Sequence, residues 1–426
     1  MEKKKLVIIG GGFAGLNVAK NVDKDKFDVV LVDRNNYHSF PPLFYQVASS
    51  GLEPSNIAFP LRRELNRRCY RGCRYEMGQV KSIDVAEKKV VTQFGKIPYD
   101  TLVIAAGTSN NFFNIPDLHK HVYTLKSISE AIRCCNEILD RLERASLCKD
   151  RRERARLLTF VVVGAGPTGV EIAGALGEMK RFVLKREYPG ISPDELRVLL
   201  VEGSDRVLRT MSPQSSANAL TALKQLMVEV HLNTSMKSYE NDTVTFADGM
   251  EIETDTVIWT AGVRGVDIEL TGTDVKASFG GRFEVDEYNA VKGLDDVYAI
   301  GDIALELTDE YPKGHPQVAQ VAIQQGQLLA RNLSRPDRRK PFRYKDKGSM
   351  ATIGRNRAVV DMGRIHLKGR IAWLAWMFVH LLSLLGMRNK TVVLINWTWS
   401  YFTFSSGLRL LVKPEKYPLR KSWTED

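Results

Sequence analysis

Two glycine loops, each between an apolar strand and a helix, predict an α/β fold with two Rossmann-like dinucleotide-binding halves. The first is GGGFAG at 10–15, after KLVII; the second is GAGPTG at 164–169, after TFVVV. A lone G-x-G-x-x-G arises easily by chance, but two copies in strand–loop–helix context imply two dinucleotides on one chain. A third observation supports them: an acidic residue, Asp33 or Glu202, ends the next apolar strand in each half. A chain holding two dinucleotides can pass electrons from one to the other.

Taken in order, residues 5–9 read as a buried parallel strand, Gly15 to about Val22 as its helix, and FDVVLVD (27–33) as the second strand. Asp33 lies 23 residues past Gly10, where a carboxylate can bind both ribose hydroxyls of an adenosine. TLVIAAG (101–107) is another strand ended by glycine. The second unit runs from about Leu157 to Glu202, its helix opening at Pro167, a residue suited to a first helical turn. Glu202 lies 38 residues past Gly164, where roughly 20 is usual, so EYPGISPDE reads as part of an insertion. DTVIWTAG (255–262) closes this unit, and VYAIGD (297–302), ending at Asp302, returns to the first. The expected domains are 1–110 with 290–345 for the first dinucleotide, 111–289 for the second, and a distinct tail at 346–426. The basic, turn-rich stretch 332–348 is the linker to that tail.

The balance of 44% apolar and 26% charged residues is that of a globular chain. A net charge of +11 favours anionic partners. No nucleic-acid motif is present, so an anionic membrane surface is the better candidate. The apolar stretch after MEKKK runs into the first glycine loop and reads as a strand, not a secretory signal. The five cysteines (Cys69, Cys73, Cys134, Cys135, Cys148) form no C-x-x-C, and an odd count argues against a disulfide framework. A reducing cytoplasm and no metal site are expected.

A glycine loop at a helix N-terminus offers backbone N–H groups and the helix dipole to a pyrophosphate. The bland alternative is a tight turn with no ligand. Glu202 repels a 2′-phosphate and so favours NADH over NADPH, although Arg206 and Arg209 lie close by. Phe13 reads as packing. Glu171 is either an acid favoured by the helix dipole or a carboxylate beside the ring where hydride passes. Gln320 and Gln324, at i and i+4, share one helix face. Their amides can donate to a ligand's carbonyl oxygens without adding charge; an exposed polar face is the alternative.

IAWLAWMFVHLLSLLG (371–386) is almost wholly apolar. Sixteen residues make a helix of about 24 Å, short against roughly 30 Å of hydrocarbon. Trp373, Trp376, Trp397 and Trp399 lie in this segment and the next, TVVLINWTWSYFTFSSG (391–407), and tryptophan favours the membrane interface. Arg364, Lys368, Arg370, Arg388, Lys390, Arg409 and Lys413 flank them, where they can bind lipid phosphates. The pair reads as interfacial helices lying on the cytoplasmic leaflet of a membrane, with a dimer contact, a buried core helix or a true span as alternatives.

GGGFAGLNVAKNV, DRNNYHSFPPLFYQVASSG, TLVIAAGT, VVVGAGPTGVEIAG, VIWTAGV and VYAIGD occur in this order in flavin-dependent pyridine nucleotide oxidoreductases. HPQVAQVAIQQG (315–326) and the tail's HLKGRIAWLAW, GMRNK and INWTWSYFT narrow the likeness. With them the chain resembles the type II, non-proton-pumping NADH:quinone oxidoreductases. The resemblance implies a two-dinucleotide-binding flavoprotein fold with non-covalent FAD, NADH as reductant and a membrane quinone, ubiquinone or menaquinone, as oxidant. It assigns FAD to Gly10, Gly12, Phe13, Ala14, Gly15, Asp33, Arg34, Val80, Gly107 and Asp302, with Ala319 and Gln320 beside the flavin. Gly164, Gly166, Gly169, Glu202 and Gly262 would take NADH, and Gln320, Gln324 and Lys390 would lie near the quinone. Glu171 matches a glutamate near the isoalloxazine. The implied place is the cytoplasmic face of the inner membrane, with a homodimer through the tail fitting the family. A sulfide:quinone oxidoreductase would need redox cysteines by the flavin, and a thiol-disulfide flavoenzyme a C-x4-C after the first loop. A non-enzymatic flavoprotein of the apoptosis-inducing-factor type would need neither the glutamines nor the tail.

Overall fold

The computed structural model describes residues 2–67, 70, 72–403 and 408–412. Seven helices matter to the site: α1 (Phe13–Asn21), α2 (Phe44–Ala48), α3 (Ile128–Leu147), α4 (Pro167–Glu178), α5 (Ala319–Ser334), α6 (Gly369–Ser383) and α7 (Met387–Thr403). Cys69, Lys413 and the end of the second tail segment lie outside the described residues.

Two five-stranded sheets carry the two loops. In the first, the strands run 297–299, 101–104, 4–9, 27–33, 73–77, and every pairing is parallel. In the second the order is 123–124, 256–259, 159–163, 197–201, 229–231, again all parallel. Strand 159–163 is buried throughout and strand 4–9 from Leu6 onward, as apolar runs covered on both faces must be. The same layout recurs in both halves: the loop-bearing strand is central, and the strand ending in the acid is its neighbour.

The return to the first half comes earlier than the expected residue 290. Strand Glu269–Thr271 pairs with strand Val80–Asp84, and Phe283 and Val285 sit in one core with Val7, Ile9 and Leu102. The expected boundary is corrected accordingly, because these apolar side chains are buried against the first sheet. A two-stranded antiparallel ribbon, Thr108–Asn110 with Val263–Gly265, ties the outgoing and returning chain together.

The tail is not helical throughout. Residues 349–368 form a three-stranded antiparallel sheet that packs against α4 and α6. Gly174 permits this docking: a Cβ there would lie 3.0 Å from the Gly354 nitrogen. Helix α5 lies along α1 in the same way, for a Cβ on Gly326 would fall 2.5 Å from the Ala14 carbonyl oxygen. Overpacking at such a contact costs about 1–3 kcal/mol. Gly326→Ala is therefore expected to lower the thermal unfolding temperature measurably, and an unchanged transition would reject this account of the α1–α5 contact.

Candidate functional site

The two glycine loops have the same construction, atom for atom. Gly10 and Gly164 have φ of +102° and +99°, and a Cβ on either would run into the next strand-end backbone, at Ala105 or Ala261. Gly15 and Gly169 sit so close to the carbonyls of Gly10 and Gly164 that no side chain fits. Gly12 and Gly166 differ: nothing lies within 4 Å of a Cβ there. Each is the N-cap of its helix and makes no side-chain cap, so the first-turn N–H groups face open space. The first and third glycines make the turn, and the second leaves room for a pyrophosphate.

A carboxylate holds each loop. Asp33 accepts from the Gly11 N–H at 2.6 Å and the Asn35 N–H at 2.7 Å. Glu202 accepts from the Ala165 N–H at 2.6 Å and the Ser204 N–H at 2.9 Å. The match survives the longer spacing of the second unit. The extra residues form the continuation of α4, a turn and a short 3-10 segment at Pro193–Glu195, outside the loop. Burial pushes the Asp33 carboxyl up, and the two N–H groups oppose that shift. Arg34 is exposed beside it. Gly107, at φ +71°, and Val80, opening its strand, lie past the ends of the first unit's strands, and no atom lies within 4 Å of a Cβ on Gly107. The open second glycine, the uncapped helix start and the carboxylate together fit a dinucleotide such as FAD. In the second unit, Gly262 (φ +73°) is covered by the Phe113 ring, 2.5 Å from a Cβ built there.

Asp302 sits in a 3-10 turn, Gly301–Ile303, at the end of strand 297–299. Two residues not singled out in the sequence hold this turn to α5. The buried Gln325 accepts the Gly301 N–H at 2.7 Å, and Gln317 donates to the Asp302 carbonyl at 2.9 Å.

The neighbouring glutamines do something else. Gln320 donates to the Gly348 carbonyl and accepts the Lys347 N–H; Gln324 donates to the Lys345 carbonyl and accepts the Lys345 N–H. They share one face as the i, i+4 spacing requires, and each gives one amide N–H to the linker backbone, clamping residues 345–348 onto α5. Ala319 starts that helix. Lys390 donates to the Leu382 carbonyl at 2.7 Å, near the C-terminal end of α6, where a cation complements the dipole.

Glu171 is buried on α4, with no cation within 4 Å among the described residues. Burial raises its carboxyl well above the usual range, opposed by the Thr352 N–H and the Trp376 indole. The Thr352 N–H is 3.5 Å away, and Trp376 Nε1 is a buried donor outside hydrogen-bonding geometry. A polar chain leads away from it: Tyr45 OH to Thr352 Oγ1 at 3.1 Å, Gln46 Nε2 to Tyr45 OH at 2.9 Å, and Trp397 Nε1 to Gln46 Oε1 at 2.8 Å. Aromatic rings line the same crevice. Phe13 stands edge-on to His38 and Phe40; Phe40 meets His380, and His380 stacks on Trp376 at 3.9 Å. His38 is buried, bonded through Nδ1 to the Gly11 carbonyl. His380 donates from Nδ1 to the Trp376 carbonyl, and burial pushes its imidazole down to about 4. Phe13 therefore does pack, and it packs at the head of a path from the first loop to the tail.

Helices α6 and α7 bury only narrow stripes: Ala372 and Trp376, then Asn389, Val393 and Trp397. Ile371, Leu374, Phe378, Leu382, Ile395, Trp399 and Phe402 are exposed, Phe402 by 76%. The core-helix alternative is thereby removed. Among the described residues no helix is long and apolar enough to cross a membrane.

Comparison with known proteins agrees with this geometry. The pyridine nucleotide-disulphide oxidoreductase model matches residues 4–326, and the NDH2 C-terminal domain model matches 347–404. The type II NADH:quinone oxidoreductase NdhA of Mycobacterium tuberculosis is 35% identical, with 95% of this chain and 88% of the relative covered. The Ndh protein of the same organism is 34% identical, at 95% and 90% coverage. Among solved structures, NDH2 from Plasmodium falciparum in complex with NADH shares the fold at a TM-score of 0.89 and 23% identity, covering 97% of this chain and all of that one. The sulfide:quinone oxidoreductase of Aquifex aeolicus follows at a TM-score of 0.71 and 18% identity, with 96% of each chain covered.

The raised Glu171 carboxyl sets a pH dependence. Such a group costs nothing in its protonated form, and destabilises the fold increasingly as pH climbs above its ordinary value of 4.5. Glu171→Gln keeps the shape and removes the ionisation. It should match the parent below pH 4.5 and gain in relative thermal stability as pH rises; a difference independent of pH would refute the assignment.

Proposed function

Because the chain belongs to the type II NADH:quinone oxidoreductases, we propose that it works at a membrane surface, moving two electrons from NADH to a lipid-borne quinone without pumping protons. The observation that carries this reading is the continuous line of rings from the first glycine loop, through Phe40 and His380, to the exposed apolar helices. That line joins a dinucleotide cradle to an apolar face suited to lipid.

FAD in the first cradle supplies the hydride acceptor and the two-electron relay. The protein's residues do the rest. The α1 N-terminus, Gly12 and Asp33 hold the pyrophosphate and ribose; Asp302, fixed by Gln317 and Gln325, holds the chain between them and the ring. The α4 N-terminus, Gly166 and Glu202 hold NADH, and the Glu202 carboxylate disfavours a 2′-phosphate. Glu171, whose carboxyl burial raises above the usual range, is the proton donor to the quinone oxygen. Its position against Tyr45, Thr352 and the tail supports a role on the quinone side in preference to orienting the nicotinamide. Gln320 and Gln324 position the linker beneath the tail, and Lys390 secures the α6–α7 corner beside the quinone's entry.

The exposed faces of α6 and α7 lie on an anionic bilayer, held by burial of apolar side chains and by flanking Arg364, Lys368, Arg370 and Arg388. The reading places the protein on the cytoplasmic face of the inner membrane, with part of the same surface available to pair two copies.

Two outcomes test this. In stopped-flow work, Glu171→Gln should leave flavin reduction by NADH unchanged and slow reoxidation by a short-chain quinone by about 10²-fold, the usual scale for a lost general acid. Slowed flavin reduction would instead assign the residue to the nicotinamide. Phe378→Glu combined with Leu382→Glu should weaken binding to phosphatidylglycerol vesicles by at least about tenfold, with NADH oxidation by a soluble acceptor retained. Unweakened vesicle binding would reject the lipid face.

A further inference from the structure

Between the two nucleotide halves, Lys126 occupies an unusual position. It stands just before α3, after strand 123–124 of the second sheet, and its bond to Thr108 brings it to the C-terminal end of the first sheet's strand 101–104. Open parallel sheets bind their ligands in the crevice outside such strand ends. Its ammonium donates to Thr108 Oγ1 at 2.7 Å, and the Thr108 hydroxyl donates to Asp302 Oδ2 at 3.3 Å. Thr108 follows Gly107, whose surroundings are open.

An ammonium has three donors, and Lys126 uses one. No other acceptor is in reach and no carboxylate lies within 4 Å of it among the described residues. The nearest acids act at longer range: Asp302 beyond Thr108, and Glu130, whose carboxylate accepts the Lys126 backbone N–H at 2.7 Å. Burial disfavours the charged lysine, and those two acids restore part of the balance. Asp302 is likewise pushed up by burial and held down by Lys126, Thr108 and Arg282. A part-buried cation that is bonded through Thr108 toward Asp302, with no carboxylate within 4 Å among the described residues, stands where a ligand gaining negative charge would meet it.

We propose that Lys126 is the electrostatic partner of the electrons that arrive on the flavin, favouring the reduced, negatively charged cofactor over the oxidised, neutral ring. Thr108 positions it: by linking Lys126 to Asp302 it keeps the ammonium turned toward the crevice. In a part-buried site one unit charge acts far more strongly than in water, so its effect falls on the reduced state. The oxidised ring carries no charge for it to meet, and oxidised FAD is held mainly by the α1 loop and Asp33. This inference rests on the reading that FAD occupies the crevice beside Asp302.

The test is a spectroelectrochemical titration of the purified flavoprotein. Lys126→Met should retain FAD and lower its two-electron midpoint potential by about 30 mV or more, equal to a tenfold loss of preference for the reduced cofactor. Lys126→Arg should restore most of the difference, and Lys126→Gln, which keeps a donor without the charge, should not. A purely structural role would move the unfolding temperature and leave the potential in place. An unchanged potential in the Met variant overturns the proposal. Should that variant emerge without flavin, the Gln and Arg variants decide: equal potentials overturn the proposal, and a lower potential for Gln upholds it. Asp302→Ala, assayed for FAD retention, tests the underlying reading separately; undiminished affinity there rejects the crevice as the FAD site whatever the lysine variants do.

Discussion

Everything in this molecule depends on a short hydrogen bond made twice: a strand-end carboxylate pulling in the backbone N–H of a glycine loop. Asp33 to Gly11 and Glu202 to Ala165 are each 2.6 Å long. The bond fixes where the loop turns, and so where the following helix begins. Because the helix caps are glycines with no side-chain acceptor, the helix dipole is left to act on whatever anion enters. A residue that capped either helix would satisfy the same donors internally and remove the reason for a pyrophosphate to bind.

The second constraint is proximity without covalent connection. Helix α4 begins at the second cradle and carries Glu171 and Glu178 on a face turned to the tail. Gly174 between them lets the 349–368 sheet approach closely, and the Arg355 N–H reaches Glu178 at 2.5 Å. The helix that starts at the second glycine loop is thereby packed against the sheet that precedes the apolar helices. Glu171 lies in that seam, buried and with no cation within 4 Å among the described residues, and burial raises its carboxyl well above the usual range.

The tail makes sense as a compromise between docking and exposure. Residues four apart on α6 and α7 face inward, and the rest of each helix is apolar and uncovered. Monomeric proteins rarely leave such a surface to water. The lipid surface proposed above suits both the apolar face and the basic residues around it. The rings of Phe13, Phe40 and His380 link the first loop to α6 at centroid separations of 5.8 and 6.0 Å.

What the linear chain determined by itself is the local grammar. The glycine spacing demands the turns, the apolar runs demand buried parallel strands, and the acids demand places at the strand ends. All of these act within one βαβ unit, where neighbours in sequence are neighbours in space. Even Glu202 obeys, although its spacing departs from the pattern, because the insertion lies outside the loop. Only the tertiary structure decided what each polar side chain actually meets. Gln320 and Gln324 share a face by helical periodicity, but periodicity says nothing about the linker that folds back to occupy their amides. Strands 349–368 were hidden because their apolar alternation is short and broken by Gly354 and Gly363. Glu171, Lys126 and His380 owe their character to desolvation by segments far away in sequence, and burial is a property of the assembled chain.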